Sequence, residues 1–466
     1  MAILLGPAGM GLIGIYDSIV VMVGTFAGMG IQMSGIRQTA EAVAVNDQKK
    51  VAQITITLRR VSIFFGIFGL ILLILLSSPI SLFTFGNTEH AFDIMLLSII
   101  PLLLIVSGGQ SALIQGMRRI GDLAKLSIIG ALFGTVLSIP IVYIWGQKGI
   151  VPSLIAVAAM ALLTSWWYAR KIEIVRIRMG WAEIWTEASP LLKMGVVFMV
   201  TAIMTTGTIY LIRVLVVRQL GLDAAGLYQA AAALSMLYVG FILDAMGKDY
   251  YPRLTAVSHD NAKCNQLVNE QAEMGVLLAV PGILATLTFA PLIIHLFYSA
   301  KFIAAYEILR WQILGILLRV PCWPMAFTLV AKGKMNLYFW TELLANAVLI
   351  SLTWSGIIYF GLPGTGMAFF GMYLLYWILI FSVVKRLTEF AWSTANVRLC
   401  LFTMPAIVIV FSAQYILPGL WYMVLGGAVT LAFGCYSIIC LIKIFDTDGI
   451  RSIFAKIKRR FGFVSR

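Results

Sequence analysis

Long runs of apolar residues, separated by short polar segments, recur along the whole 466-residue chain. The runs are continuous rather than alternating, as in Val61 to Leu76, and most are long enough to cross about 30 Å of hydrocarbon as a helix. Because backbone groups in lipid must be paired within the segment, the runs predict membrane-spanning α-helices. Thirteen spans are predicted, at 10–36, 61–83, 93–117, 125–146, 150–169, 193–217, 224–247, 274–298, 304–331, 337–360, 364–384, 398–418 and 420–443.

One segment near the start of the chain recurs in altered form in its second half: LGPAGMGL at 5–12 corresponds to LGLDAAGL at 220–227. A hydrophobic chain that repeats itself in this way is typical of transporters built from two homologous membrane lobes, with the substrate path at the repeat interface. Two further glycine turns recur. Gly149 corresponds to Gly364 at the same offset of 215 residues, and Gly116 corresponds to Gly333 at an offset of 217 residues.

The repeat predicts an all-α polytopic membrane protein with two homologous six-helix lobes, at 1–180 and 181–390, two further helices at 391–444 and a basic tail at 445–466. An apolar helix at about 193–217 precedes the second copy, whereas only four residues precede Leu5. We therefore expect the first lobe to lack its first helix. This favours a start codon assigned too late, or a truncated gene, over a natural thirteen-helix design, and predicts an apolar segment of about twenty residues encoded upstream.

Basic residues are concentrated in alternate loops. Twenty-eight lie on one side of the predicted spans, and the other side has only Lys148, Arg218 and Lys301. By the positive-inside rule the rich side is cytoplasmic, which places the C terminus inside. Topological signalling and attraction to anionic lipid headgroups account for most of this charge, so membrane lipids are expected partners and nucleic acid is not.

The composition offers little for catalysis. At 61% hydrophobic and 12% charged residues, the chain is far from soluble-globular averages. The three histidines are widely spaced, the five cysteines show no metal-ligand spacing, and no nucleotide-binding loop or nucleophile–base arrangement is evident. We therefore expect no enzymatic activity, no cofactor and no metal site.

Ionisable side chains are costly in lipid, so arginines within spans are candidates for substrate binding. Arg319 lies well inside its span, just before Pro321 and Pro324, which should loosen the helix. Arg319 could bind an anionic ligand in a water-filled cavity, or it could form a buried ion pair with an acidic neighbour. The role in ligand binding is favoured. Arg310 follows Glu307 by one turn, which favours a local ion pair. Nine residues of helix place Arg310 and Arg319 on nearly opposite faces.

For two further arginines the alternatives are balanced. Arg213 follows a threonine-rich stretch of its helix and either snorkels to the outer headgroups or lines the cavity. Arg37 ends the small-residue segment GMGIQMSGIR, whose glycines permit close helix contact or local unwinding. It is either an inner-face topology signal or a ligand for substrate.

Three acidic residues are candidates for coupling transport to a proton or cation. Asp17 lies about two turns inside its span and has no local partner, which makes it the strongest candidate. Asp244 precedes Lys248 by four residues and suits a helix-surface pair. Glu342 lies near the inner start of its helix and is a weaker candidate.

Several of these segments together resemble bacterial O-antigen translocases. The resemblance rests on LGPAGMGL and the helix ending GIRQTAEA, on DYYPRLTAV at 249–257, on FIAAYEILRWQILGILLRV at 302–320, and on FTLVAKGKMNLYFWTELL at 327–344. This group includes the enterobacterial common antigen flippases and belongs to the multidrug/oligosaccharidyl-lipid/polysaccharide exporter superfamily. Its members carry an apolar helix ahead of the LGPAG segment, which this chain does not show.

The resemblance implies an alternating-access carrier of the bacterial inner membrane with a cationic central cavity. Such a carrier moves an undecaprenyl-diphosphate-linked oligosaccharide from the cytoplasmic to the periplasmic leaflet, and a polysaccharide polymerase and a chain-length regulator are candidate partners. Arginines in the membrane would meet the diphosphate or acidic sugars. A cation-coupled multidrug exporter and a non-transport scaffold of a polysaccharide assembly complex stay open as alternatives.

Overall fold

The computed structural model describes residues 1–172, 175 and 177–444, with the side chains at 244, 245 and 248 excepted. The predicted basic tail at 445–466 lies outside the described residues. The described part is helical, with these α-helices: α1 Ala2–Ala27, α2 Ile31–Ala44, α3 Gln48–Phe85, α4 Ala91–Leu97, α5 Ile99–Gly116, α6 Ile120–Trp145, α7 Ile150–Ala169, α8 Trp181–Ala256, α9 Asn261–Phe297, α10 Ala305–Ala331, α11 Met335–Phe360, α12 Pro363–Thr388, α13 Thr394–Ile416 and α14 Gly419–Ile444.

The prediction of thirteen membrane crossings is confirmed. Eleven helical stretches among the described residues are long and apolar enough to span a bilayer. Two of them, Ile120–Ala169 and Trp181–Leu243, have 50 and 63 residues, about twice the length that one crossing needs. The first is interrupted by the turn Gly146–Gly149 and the second by a break at Gly221, so each supplies two crossings.

The helices α1 and α8 are broken by glycines at equivalent positions of the repeat. Gly6 has φ 67° and ψ −172°, and its counterpart Gly221 has φ 86° and ψ 178°. This region of backbone space is open essentially to glycine alone. The break divides α8 into α8a (181–220) and α8b (222–256).

A single register, the one that matches Gly6 with Gly221, also relates the later helices of the two copies. The helix α6 begins at Ile120 and α11 at Met335, and both are 26 residues long. The turns that follow them are equivalent as well, because Gly146 has φ 56° and Gly361 has φ 63°. The repeat is therefore structural as well as sequential.

The predicted match of Gly116 with Gly333 is wrong by two positions. Gly333 has φ 69°, and its equivalent with the same left-handed backbone is Arg118, with φ 57°. The caps agree: the amide of Arg119 bonds the Ile114 carbonyl (3.1 Å) and that of Lys334 bonds the Leu329 carbonyl (2.9 Å). This closure requires one left-handed residue, which glycine adopts most easily but not exclusively.

The predicted span 10–36 is also wrong at its inner end. The helix α1 stops at Ala27, and Met29 (φ 47°) and Gly30 (φ 62°) are both left-handed before α2 begins. Two consecutive left-handed residues cannot continue a right-handed helix. A side chain at position 30 would collide with the backbone of Gly195, so glycine there also permits close contact with α8a.

The described chain forms two compact units that divide after Gln229. In the first, α8a packs on α2 and α3 through a core that includes Ile31, Leu58 and Ile184. In the second, α10 and α12 pack through a core that includes Met325 and Ile380. The lobe boundaries at 180 and 390, which come from the sequence repeat, stay predictions.

Gly221→Ala should lower the free energy of unfolding by about 1–3 kcal/mol, because an alanine side chain is strained in this conformation. Gly207 is the matched control, since it lies in the same helix with open space around its Cα and no positive φ. Gly207→Ala should be neutral or stabilising, by roughly 0.5–1 kcal/mol. Thermal unfolding of both purified variants in one detergent is the measurement. Equal shifts for the two would contradict the assigned role of Gly221.

Candidate functional site

Within the first unit, α1 and the start of α8b touch at equivalent positions of the repeat. A Cβ added to Gly11 would meet the Leu222 carbonyl oxygen, and a Cβ added to Gly226 would meet the Pro7 carbonyl oxygen. In the repeat, Pro7 is the counterpart of Leu222 and Gly11 that of Gly226, so the contact is reciprocal like one across a twofold axis. Only glycine permits this approach.

Arg213 is held at this crossing by polar groups of two neighbouring segments. Its guanidinium donates to the Gly14 carbonyl, the Ser18 hydroxyl and the side-chain oxygen of Gln229. The side chain is only 14% exposed, and its Nε atom is buried without a partner among the described residues. Arg213 therefore does not snorkel, and most of its donors already connect α8a to α1 and α8b.

Asp17 has a partner that no sequence neighbour could provide. Its carboxylate lies 4.0 Å from the Arg213 guanidinium, and its side chain is 59% exposed. The contact is loose, because Arg213 gives its shorter hydrogen bonds to other groups. The Asp17 carboxylate thus keeps free acceptor capacity for a proton, a cation or a hydroxyl group.

A second polar group adjoins Asp17 on α1. The hydroxyl of Tyr16, a fully buried residue, donates to Asp93 (2.8 Å) and lies 2.9 Å from His90 Nδ1. The rings of Phe85 and His90 pack with their centroids 4.0 Å apart. The sequence pattern did not identify this cluster, although the spacing of His90 and Asp93 on one helix turn was a usable signal.

In the second unit, Arg319 has unused hydrogen-bonding capacity. Among the residues that the structure describes, it makes one hydrogen bond, to the Met236 sulfur (3.2 Å), and lies 5.9 Å from the Tyr373 ring centroid. No carboxylate forms an ion pair with it among the described residues. A guanidinium has five N–H donors and thioether sulfur is a weak acceptor, so most donors remain available. The residue is partly exposed.

Glu342 lies within electrostatic range of Arg319, and its carboxylate is already engaged. The Tyr376 hydroxyl donates to Glu342 at 2.6 Å. The structure thus brings together Arg319, Glu342, Tyr373 and Tyr376, of which only the first two were predicted. The Tyr373 ring beside Arg319 has its centroid 6.4 Å from that of Tyr376, so one cation and two aromatic rings lie next to one another in that order. The expected loosening at Pro321 and Pro324 does not break α10, which is continuous from Ala305 to Ala331.

Arg310 has a structural role, and the predicted ion pair with Glu307 does not form. The residue is 2% exposed, donates to the Phe411 carbonyl and stacks over the Phe411 and Tyr415 rings, with centroids 4.3 and 5.2 Å away. These contacts are all on α13, so Arg310 attaches α13 to α10. It faces away from Arg319, as the helical spacing predicted.

Arg37, a further predicted residue, does not join either cluster. Arg37 is 64% exposed and pairs with Glu41 one turn later, at 2.8 Å. An exposed ion pair of this kind contributes little to the stability of the fold. The Asp244 side chain, with its predicted pairing to Lys248, lies outside the described residues.

The comparisons with known proteins agree with this architecture. A family model described as "Polysaccharide biosynthesis protein" matches residues 1–307. Two curated relatives, each called "Lipid III flippase", from Escherichia coli (strain K12) and Shigella flexneri, are 23% identical over 390 residues, 82% of this chain and 92% of those proteins.

Two solved structures have a similar fold. A multidrug resistance MATE family transporter of the MOP superfamily, in an inward-facing conformation, gives a TM-score of 0.68 at 14% identity and covers 82% of this chain and 91% of its own. The lipid II flippase MurJ, in an inward closed conformation, gives a TM-score of 0.63 at 13% identity, and the match covers 92% of this chain and 99% of the MurJ chain. At these identities the likeness concerns the fold alone.

Arg310→Ala should lower the free energy of unfolding by about 2–3 kcal/mol, because it removes a buried charged hydrogen bond and two cation–π contacts. Arg37→Ala should change it by less than about 1 kcal/mol, since that pair is exposed. Thermal unfolding of the purified variants tests both expectations. An Arg310→Ala protein as stable as the wild type would argue against the proposed attachment of α13.

Proposed function

Because the chain belongs to the polysaccharide biosynthesis protein family, we propose that it translocates a lipid-linked oligosaccharide. The specific substrate proposed is an undecaprenyl-diphosphate-linked repeat unit of O-antigen type, moved from the cytoplasmic to the periplasmic leaflet of the bacterial inner membrane. The relatives called lipid III flippases and the MurJ fold support this substrate class.

The proposal rests on the position of Arg319 within a membrane span and on its free hydrogen-bond donors. An arginine within a membrane span is costly unless a counter-charge or a ligand meets it. Glu342 is engaged by Tyr376, and within the described residues Arg319 meets one weak sulfur acceptor, so its remaining donors suit an anionic ligand. A diphosphate matches the planar fork of the guanidinium, which binds phosphate oxygens in pairs. The Tyr373 ring beside it is suited to contact a sugar ring.

The transport cycle proposed is alternating access, with the C terminus in the cytoplasm as the charge distribution predicts. Asp17 and Glu342 are the proposed coupling residues. Asp17 has the stronger support, because its carboxylate is exposed and only loosely paired with Arg213. A polysaccharide polymerase and a chain-length regulator are the proposed partners, since a translocated repeat unit must next be polymerised.

A cation-coupled multidrug exporter is the second candidate. The exposed Asp17 carboxylate and the fold likeness to a MATE transporter favour it. Efflux of a cationic dye that depends on Asp17 would distinguish this function from oligosaccharide transport, because a cationic drug requires an acid and gains nothing from Arg319.

Arg319→Ala should reduce surface glycan at least about ten-fold when the chain is expressed in a flippase-null strain, because charged hydrogen bonds to a phosphate are lost. The protein should still reach the membrane at the wild-type level. Arg253→Ala is the matched control, because that arginine is half exposed and pairs with Asp249 on the helix surface. Surface glycan and membrane protein are measured in the same cells.

Wild-type glycan from the Arg319→Ala chain would overturn the role of Arg319. If a variant that no longer moves lipid-linked oligosaccharide in vesicles still supported glycan export, the scaffold function would be favoured instead.

A further inference from the structure

A groove in the first unit joins two arginines to an apolar wall. It has a volume of about 230 Å³ and lies over α5, with α3 on one side and α7 on the other. Its lining residues are Arg59, Ile63, Val106, Gln110, Trp166, Ala169 and Arg170. None of these residues takes part in the two charged clusters described above.

The two arginines in this groove have no acidic partner within the part of the chain that the structure describes. The Arg170 guanidinium lies over the Trp166 ring, 5.3 Å from the centroid. The Gln110 amide is held by Ser165, whose hydroxyl donates to Gln110 Oε1 at 2.7 Å. Two cations and an oriented amide thus face one small space.

The position along the chain places this groove at a membrane surface. Arg59 directly precedes the predicted span 61–83, and Arg170 directly follows the span 150–169. By the distribution of charge, both ends are cytoplasmic. The apolar lining continues from the arginines along Ile63 and Val106, toward the hydrocarbon.

Topological signalling explains why arginines occur at these helix ends, but it does not require two from distant segments to share a groove. The combination of paired cations above and apolar walls below is complementary to an amphiphile with an anionic head. We propose that Arg59 and Arg170 bind the phosphate of an anionic phospholipid of the cytoplasmic leaflet, with its first acyl carbons against Ile63, Val106 and Trp166.

Tryptophan fluorescence in phosphatidylcholine nanodiscs tests the proposal, because Trp166 lines the groove. Brominated phosphatidylglycerol should quench the full-length protein more than brominated phosphatidylcholine does, and Trp166→Phe should remove this excess. Arg59→Gln combined with Arg170→Gln should weaken phosphatidylglycerol binding at least about ten-fold, since each cation near an anionic surface contributes separately.

The matched control is Arg253→Gln combined with Lys263→Gln. It likewise removes two positive charges, here from residues paired with Asp249 and Asp260 (3.2 and 3.3 Å), on the ends of α8b and α9 that are also predicted to be cytoplasmic. It should leave the excess quenching unchanged. An equal loss in this control would assign the effect to general surface charge and overturn the site.

Two further measurements separate the remaining outcomes. Inorganic phosphate at about 10 mM should not remove the excess quenching, because it lacks the apolar part. If inorganic phosphate abolished the excess quenching, the groove would be a site for free phosphate instead of a lipid. If the double glutamine variant does not fold, the variant with Arg59→Lys and Arg170→Lys replaces it, because it keeps both charges. The comparison of the wild type with Trp166→Phe then decides whether the lipid binds in the groove. An excess that persists in Trp166→Phe would overturn the groove as the binding site.

Discussion

The polar geometry of the first unit depends on the close approach of α1 and α8b at Gly11 and Gly226. Each glycine lies against a carbonyl of the opposite segment, where any Cβ would collide. In lipid, where burial of apolar surface contributes little between helices, such small-residue contacts bring backbones together through packing. The approach places Gln229 and the Gly14 carbonyl on either side of Arg213, so a costly buried cation finds its acceptors.

The arginines of the membrane helices differ in exposure and in the acceptors that they meet. Arg213 and Arg310 are buried and bonded to groups on neighbouring helices, which makes them part of the scaffold. Arg319 is partly exposed, and among the described residues its acceptor is a weak one, the Met236 sulfur. A buried charge that is bonded to a neighbouring helix can hold that helix in place, whereas a partly exposed charge with free donors can bind a ligand. Partial exposure together with free donors, more than location in a span, therefore identifies a candidate binding residue.

The sequence predicted the helices well and their ends less well. Thirteen crossings and the internal repeat follow from hydrophobic runs and recurring glycine turns, which are local properties. The stop of α1 at Ala27 was missed, because left-handed Met29 has no marker in the hydrophobic pattern. Arg118 was missed at its cap for a related reason, since a cap demands a backbone conformation and glycine is only its commonest occupant. The pairing of Arg213 with Asp17 joins residues from distant parts of the chain, beyond any local spacing rule.

By itself the sequence determined that this is a helical membrane protein with duplicated halves and predicted its orientation, because hydrophobic length, repeat and loop charge are written residue by residue. It also identified the charged residues within spans, whose transfer into lipid costs free energy. Only the tertiary structure decided which of them are satisfied. Arg310 and Arg319 are nine positions apart on one helix. Arg310 meets a carbonyl and two rings of α13, whereas Arg319 meets, among the described residues, a sulfur of α8b and the Tyr373 ring. The difference arises because partners come from helices distant in the chain, and packing alone sets which face each of them meets.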